Sequence, residues 1–169
     1  ALDAIIVIGG RDTLEVAYKV SQLGVNIVGV PKTMDNDLVE TDYSIGFDSA
    51  TTRVMKALDD LHVTAAAHQR VMVVETMGRE TGWVALVGGL VGGADFIIIP
   101  EFPVTVAEVC DHIVKRHQAG QNFSLIVVAE GAQIPDLVMR TPDTTDPFGR
   151  PRYDRRGVGE CLAIAIEEK

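Results

Sequence analysis

The stretch "AIIVIGGRDTLEVAYKVSQLGVNIVGV", residues 4–30, decides the fold class. Residues 4–8 form a short aliphatic run that is typical of a buried strand, and residues 12–24 follow a helical pattern that Gly24 closes. Residues 26–30 form a second apolar run. Neighbouring parallel strands need a crossover connection, which is usually a helix. The stretch therefore predicts a β-α-β unit.

The same alternation continues along the rest of the chain. Aromatic residues make up only 5% of the sequence, so the core is aliphatic, as buried parallel strands require. We expect an α/β fold with a doubly wound, mainly parallel sheet and helices on both faces, similar to a Rossmann fold. The loops that follow the strands should then share one edge of the sheet, where ligands bind. Further helices are predicted at residues 49–64, 80–93, 105–120 and 157–169, and further strands at residues 70–75, 95–100 and 124–131.

Composition limits the classes of function. The chain has 169 residues, enough for one domain with a real core, and a net charge of −9. That charge argues against non-specific binding to nucleic acids or to anionic membranes, because both need a basic surface. We expect neither a signal peptide nor a membrane-spanning segment, because no apolar run within residues 1–169 has the required length. The two cysteines, Cys110 and Cys161, lack metal-site spacing and indicate reduced thiols in a cytoplasmic protein.

Three loops carry unusual chemistry. In "GGRDT", residues 9–13, backbone N–H groups could bind an anion, or the loop could be a tight turn. In "PKTMDND", residues 31–37, turn chemistry explains Pro, Asp and Asn but not a lysine beside two carboxylates. A carboxylate that takes a proton from a hydroxyl, next to an ammonium that binds phosphate, suits phosphoryl transfer; a structural turn is the alternative. Arg79 in "TMGRE" is either a surface charge or a clamp on phosphate oxygens.

Five motifs together resemble the 6-phosphofructokinase family. They are "IGGxDT", "GVPKTMDNDLVETDYSIGFDSA", "HQRVMVVETMGRETG", "IIIPE" and "VVAEG", in the order and spacing of that family across nearly the whole chain. The resemblance implies a glycolytic kinase. It would transfer a phosphoryl group to the 1-hydroxyl of fructose 6-phosphate and form fructose 1,6-bisphosphate.

The resemblance also implies roles for individual residues. Asp35 matches the general base for the sugar hydroxyl, and Thr33 and Asp37 match its companions in the catalytic loop. Arg79 matches the arginine that stabilises the transferring phosphoryl group. Lys32 lies where a lysine can neutralise charge on the donor. These five residues are therefore the expected catalytic set.

Four further positions match the binding site for the sugar. Met77 and Gly78 match residues that contact the sugar, and Glu130 matches a carboxylate that holds its hydroxyls. Arg70 matches an arginine that reaches the sugar phosphate across a subunit interface. The resemblance therefore implies a homo-oligomer, at least a dimer.

The phosphoryl donor is expected to bind at Gly9, Gly10, Asp12 and Thr13. Family members that use ATP typically carry glycine in place of Asp12 and often in place of Lys32, whereas members that use inorganic pyrophosphate carry Asp and Lys. A carboxylate at Asp12 would repel the α-phosphate of ATP, and like-charge contacts cost several kcal/mol. Pyrophosphate is the favoured donor. ATP stays the alternative, because some ATP-dependent relatives also carry "PKT".

One position departs from the family. Arg11 stands where the family has an acidic residue that serves the Mg²⁺ accompanying the donor, and arginine cannot ligate a cation. The resemblance implies Mg²⁺ as the cofactor, and Arg11 leaves three explanations open. Metal binding is impaired, or Arg11 is an alteration of the sequence, or the chain is a diverged binding or regulatory paralogue. We also expect residues 1–169 to be the central portion of a catalytic domain. The N-terminal donor loop and the C-terminal sugar-phosphate segment would lie outside it, leaving the isolated chain with little activity.

Overall fold

The computed structural model describes residues 2–139, 145 and 157–169. The chain divides into two compact units, Ala1–Ala50 and Thr51–Lys169. Most of the segment between the predicted strand at residues 124–131 and the predicted helix at residues 157–169 lies outside the described residues.

The first unit is a small parallel sheet with one helix before the second strand. It contains β1 (Ile5–Gly9), α1 (Arg11–Ser21), β2 (Ile27–Thr33) and β3 (Ile45–Gly46), with the strands in the order β1-β2-β3. β1 and β2 run parallel, as the β-α-β prediction requires. Leu14 of α1 packs closely on Gly29 of β2, since a Cβ at residue 29 would come within 3.2 Å of the leucine side chain.

Two details of the first unit differ from the sequence prediction. β2 does not end at residue 30 but runs to Thr33, because residues beyond Val30 still have strand partners. Pro31 pairs with β1, and Lys32 and Thr33 pair with β3, a two-residue strand that the hydrophobic pattern does not reveal. Lys32 and Thr33 therefore belong to a strand and not to the loop after it.

The second unit has a parallel sheet with helices on both faces. Its strands are β4 (Val71–Thr76), β5 (Phe96–Ile98) and β6 (Ser124–Ala129), in the order β4-β6-β5. Its helices are α3 (Trp83–Val91), α4 (Val106–Gln118) and α5 (Val158–Glu167), while α2 (Phe47–His68) begins in the first unit and continues into the second.

The central strand β6 is fully buried, and its alternating side chains reach two separate cores. Ile126 and Val128 lie in the core that includes residues of α4 and α5. Leu125 and Val127 lie in the core that includes residues of α2 and α3. The predicted doubly wound α/β fold is thus confirmed in its parallel strands and its two helical layers.

The helices also differ from the predicted bounds. α2 is longer at both ends than residues 49–64, and α3 begins three residues later than predicted. α4 starts with a capping box, in which the Thr105 hydroxyl accepts a hydrogen bond from the Glu108 backbone N–H and the Glu108 carboxylate accepts one from the Thr105 backbone N–H. Within residues 2–139, 145 and 157–169, no helix combines the length and apolar character needed to span a membrane.

Candidate functional site

The loop after β2 places Asp35 directly beyond the strand. The Thr33 hydroxyl donates a hydrogen bond to Asp35 Oδ2 at 3.2 Å, and the Asp35 backbone N–H donates to Thr33 Oγ1, also at 3.2 Å. Both residues are partly buried. The reciprocal pair fixes the direction of the Asp35 carboxylate at the carboxyl end of β2, where a general base has access to substrate.

Two residues that sequence reasoning missed hold this loop. Asn36 adopts a left-handed conformation (φ 54°), and its Oδ1 accepts a hydrogen bond from the Ser44 backbone N–H at 2.9 Å. The buried Ser44 donates its hydroxyl to the backbone carbonyl of Thr33 at 2.8 Å. Asparagine adopts the left-handed conformation more readily than most residues. Asn36, between two aspartates, was therefore the signal in the sequence that could have indicated a left-handed turn in this loop.

The residues predicted to bind the donor lie where β1 meets α1. Gly9 ends β1, Gly10 is the N-cap of α1, and Asp12 and Thr13 lie in the first turn of the helix. Gly9 lets the strand approach the helix closely, since a Cβ at residue 9 would come within 2.5 Å of the Thr13 side chain. The N-terminus of α1 carries the partial positive charge that favours an anion.

Arg11 lies beside Asp37, in the loop after β2. Its Nη1 lies 3.7 Å from Asp37 Oδ2, and the Arg11 side chain is 49% exposed whereas that of Asp37 is only 8% exposed. Asp37 Oδ1 is buried and has no hydrogen-bond partner among the residues that the structure describes. The two side chains also line one groove of about 1030 Å³ in the first unit. The Arg11 guanidinium is therefore a counter-ion of Asp37.

The residues around Asp37 do not fit a protein-built magnesium site. Mg²⁺ requires near-octahedral oxygen ligands, and a guanidinium at 3.7 Å supplies positive charge without any acceptor atom. Among the described residues, no group of three or more His, Cys, Asp or Glu side chains is placed to hold a metal ion.

In the second unit, Glu130 anchors the loop that follows β4. Its Oε1 accepts hydrogen bonds from the backbone N–H of Gly78 at 3.1 Å and of Arg79 at 2.9 Å. Glu130 is 8% exposed and follows directly after β6, which pairs with β4. The structure therefore brings together Gly78, Arg79 and Glu130, all predicted site residues. It also gives Glu130 a contact with the backbone that the family resemblance did not imply.

The backbone of this loop is unusual at Arg79. Its φ is +52°, in the left-handed region, where a residue with a side chain loses roughly 1–2 kcal/mol. Gly131 makes room for this conformation, because a Cβ at residue 131 would overlap the carbonyl oxygen of Arg79. A carboxylate and a glycine after β6 together hold the loop that presents Met77, Gly78 and Arg79.

Arg70 lies away from the other residues of the second unit that are predicted to bind the sugar. It precedes β4, whereas Met77, Gly78 and Arg79 follow the same strand. The six residues of β4 rise by about 3.3 Å each, so the two ends of the strand are roughly 20 Å apart. Arg70 is exposed at the amino edge of the sheet and does not join the Glu130 cluster.

The loops expected to share one sheet edge are confirmed to do so only within each unit. The residues after β1 and those after Thr33 of β2 lie at one edge of the first sheet, because the two strands are parallel. The residues that follow β4, β5 and β6 lie at one edge of the second sheet for the same reason. That all of them share a single edge stays a prediction.

Comparison with known proteins places the chain among enzymes of one kind. The family model described as Phosphofructokinase matches residues 1–169. A pyrophosphate–fructose 6-phosphate 1-phosphotransferase from Dictyoglomus thermophilum is 48% identical over 99% of this chain and 48% of its own length. An ATP-dependent 6-phosphofructokinase from Chloroflexus aurantiacus is 53% identical over 78% of this chain and 37% of its own length.

The fold has close counterparts among solved structures. The crystal structure of a pyrophosphate-dependent phosphofructokinase from Marinobacter aquaeolei matches with a TM-score of 0.74 and 30% identity, over 99% of this chain and 41% of that one. The chain thus spans about half the length, or less, of the relatives that it matches.

Proposed function

This chain belongs to the phosphofructokinase family, and from that premise we propose that the whole protein phosphorylates fructose 6-phosphate with inorganic pyrophosphate. The proton of the sugar 1-hydroxyl passes to a carboxylate oxygen of Asp35. The sugar oxygen bonds to one phosphorus of pyrophosphate, and the bond from that phosphorus to the bridging oxygen breaks. The products are fructose 1,6-bisphosphate and phosphate.

The observation that carries this proposal is the setting of Asp35. A general base must be ionised, directed and accessible, and the Thr33 hydroxyl at 3.2 Å directs the Asp35 carboxylate at the end of a parallel strand. We assign Thr33 and Asp37 as companions of this base, and Arg79 as the guanidinium that stabilises charge on the transferring phosphoryl group. Met77, Gly78 and Glu130 belong to the proposed sugar site.

Asp12 and Lys32 support pyrophosphate as the donor. Asp12 lies in the first turn of α1, whose N-terminus is the proposed phosphate site, so its carboxylate would repel a longer polyphosphate chain there. Lys32 is exposed on β2, one residue before Thr33, and can neutralise the departing phosphate. Gly9, Gly10 and Thr13 complete the donor side.

ATP is the second candidate donor. It is favoured by the name of the Chloroflexus aurantiacus relative, which is 53% identical and ATP-dependent. A third possibility, a binding or regulatory paralogue without turnover, has Arg11 as its support.

We propose further that the protein is a cytoplasmic homo-oligomer in which Arg70 serves the sugar phosphate of a neighbouring subunit. Its place about 20 Å from the far end of β4 favours a site other than the one beside Glu130. Any Mg²⁺ would arrive bound to the donor, because the residues around Asp37 do not fit a metal site.

The test uses the full-length protein with fructose 6-phosphate and Mg²⁺, and compares the rates with pyrophosphate and with ATP. Asp35→Asn should lower kcat by roughly 100- to 10,000-fold, and Asp42→Asn, the same change in the same loop, should have little effect. Asp12→Gly with Lys32→Gly should shift donor preference toward ATP, and no shift would refute the donor assignment. Binding of fructose 6-phosphate without turnover of either donor would support the regulatory paralogue.

A further inference from the structure

Asn36 and Ser44 connect the middle of the loop after β2 to its far end and to the strand itself. The Asn36 side chain accepts a hydrogen bond from the Ser44 backbone N–H at 2.9 Å and donates one to the Asp42 backbone carbonyl at 3.2 Å. The Ser44 hydroxyl donates to the Thr33 backbone carbonyl at 2.8 Å. These three hydrogen bonds are called the Asn36–Ser44 clasp below.

The clasp holds Asn36 in a backbone conformation that residues with a side chain adopt infrequently. Its φ is +54°, in the left-handed region, which costs a non-glycine residue on the order of 1–2 kcal/mol. Glycine would adopt this conformation without that cost. Asparagine instead uses its amide to contact residues six and eight positions further along the chain. Local strain that the surrounding structure maintains is concentrated at functional sites.

The clasp fixes the backbone on both sides of Asp35, the proposed general base. On one side, two hydrogen bonds of 3.2 Å join Asp35 to Thr33, whose carbonyl accepts the Ser44 hydroxyl. On the other side, Asp35 is followed directly by the clasped Asn36. We infer that Asn36 and Ser44 are positioning residues, which hold the Asp35 carboxylate in the orientation that takes the proton of the sugar hydroxyl. The inference rests on the proposed function and adds what orients its base.

The experiment compares steady-state kinetics of full-length variants with fructose 6-phosphate, Mg²⁺ and the donor that the wild type uses. Asn36→Gly keeps the left-handed backbone accessible and removes the amide. It should lower kcat roughly tenfold to a hundredfold, because a small misplacement of a catalytic group costs that much. KM for fructose 6-phosphate should stay within about twofold, since no substrate contact is removed.

The matched control is Asn26→Gly. Asn26 directly precedes β2, and its side-chain N–H also donates to a backbone carbonyl, that of Asp3 at 3.1 Å. The same chemical group is therefore removed at the opposite end of the same strand. This variant should lose stability to urea and keep the kcat of the wild type.

A conservative pair of variants tests the Ser44 hydroxyl. Ser44→Ala should lower kcat, and Ser44→Thr, which retains the hydroxyl, should restore most of it. Equal kcat in Ser44→Ala and the wild type would exclude Ser44 as a positioning residue. Melting temperatures verify that each variant is folded, and if the added methyl group of Ser44→Thr prevents folding, Asn36→Gly decides.

A second readout does not depend on turnover. The Asp35 backbone N–H donates to Thr33 Oγ1 at 3.2 Å, so hydrogen exchange of this amide reports whether the loop keeps its conformation. Exchange should be roughly tenfold faster in Asn36→Gly, which is the effect of losing about one hydrogen bond. It should be unchanged in Asn26→Gly.

The inference is overturned if Asn36→Gly keeps the wild-type kcat, or if its Asp35 amide exchanges no faster than in the wild type. It is also overturned if Asn26→Gly lowers kcat as much as Asn36→Gly, because lost stability would then explain both. Each of these results, with turnover by the wild type intact, leaves the proposed function standing. Absence of turnover with both donors would instead remove the proposed function, and the exchange rates would then decide whether the clasp holds Asp35.

Discussion

Removing the Glu130 carboxylate should release the loop that presents Arg79. In Glu130→Ala, the backbone N–H groups of Gly78 and Arg79 lose an acceptor at 3.1 and 2.9 Å. A hydrogen bond to a charged group contributes about 1.5–3 kcal/mol, and the left-handed Arg79 conformation costs roughly 1–2 kcal/mol that these bonds help to offset. We therefore expect the loop to lose about 3 kcal/mol of local stability.

The assay is amide hydrogen exchange at Gly78 and Arg79, together with urea unfolding of the same protein. A loss of about 3 kcal/mol corresponds to exchange that is roughly a hundredfold faster or more at these two amides. Glu130→Gln is the matched control: it keeps a side-chain oxygen as acceptor without the charge, so it should lose only about 1 kcal/mol. If Gln and Ala accelerate exchange equally, or neither does, the carboxylate does not hold the loop through these hydrogen bonds.

Three further substitutions test other contacts. Gly131→Ala should destabilise the protein to urea by about 3 kcal/mol, because its Cβ would overlap the Arg79 carbonyl and force a backbone shift; a loss below about 0.5 kcal/mol would contradict this steric account. The backbone N–H of Val106 donates a hydrogen bond to the Asp136 carboxylate at 2.8 Å and lowers the pKa of Asp136. The Asp136 carboxylate therefore stabilises α4 above about pH 5, and this stabilisation is lost as the pH falls through the lowered pKa. The protection factor of the Val106 amide should fall below about pH 4 in the wild type and stay flat in Asp136→Asn, and equal acid sensitivity of both would exclude Asp136 as the group responsible. Ser44→Ala should cost about 1 kcal/mol in urea unfolding by removing a bond to the backbone carbonyl at the end of β2, whereas no loss would mean that water replaces the hydroxyl.

The order of strands and helices could be predicted because burial imposes a period on the sequence. "SLIVVA" is the fully buried strand β6. "AIIVI" overlaps β1 (Ile5–Gly9), but the prediction that this run is buried was wrong, because Ile5, Ile6 and Ile8 are exposed in the first unit. The positions of the site loops followed from one rule, that ligands gather at the carboxyl ends of parallel strands. The short strand β3 was missed because two residues are too few to show alternation, and its formation depends on pairing with Lys32 and Thr33.

The contacts within the site were not predictable in the same way. A left-handed arginine leaves no trace in a hydrophobic pattern, and the Gly131 that permits it lies 52 residues later. Arg11 could be recognised as a departure from the family, but its nearness to Asp37 depends on how α1 and the loop after β2 fold. The spacing of motifs predicts which residues could take part in the chemistry, whereas tertiary packing determines which of those residues contact each other.

This difference affects how mutations in the proposed site should be interpreted. Glu130 matches a carboxylate that holds sugar hydroxyls, yet its Oε1 also accepts two backbone hydrogen bonds from the loop of Arg79. A loss of activity in Glu130→Ala would therefore combine loss of the proposed sugar contact with displacement of the Arg79 guanidinium. The two effects are separated by comparing KM and kcat of Glu130→Gln with those of Glu130→Ala. Glu130→Gln removes only the charge, whereas Glu130→Ala also removes the acceptor that positions the loop.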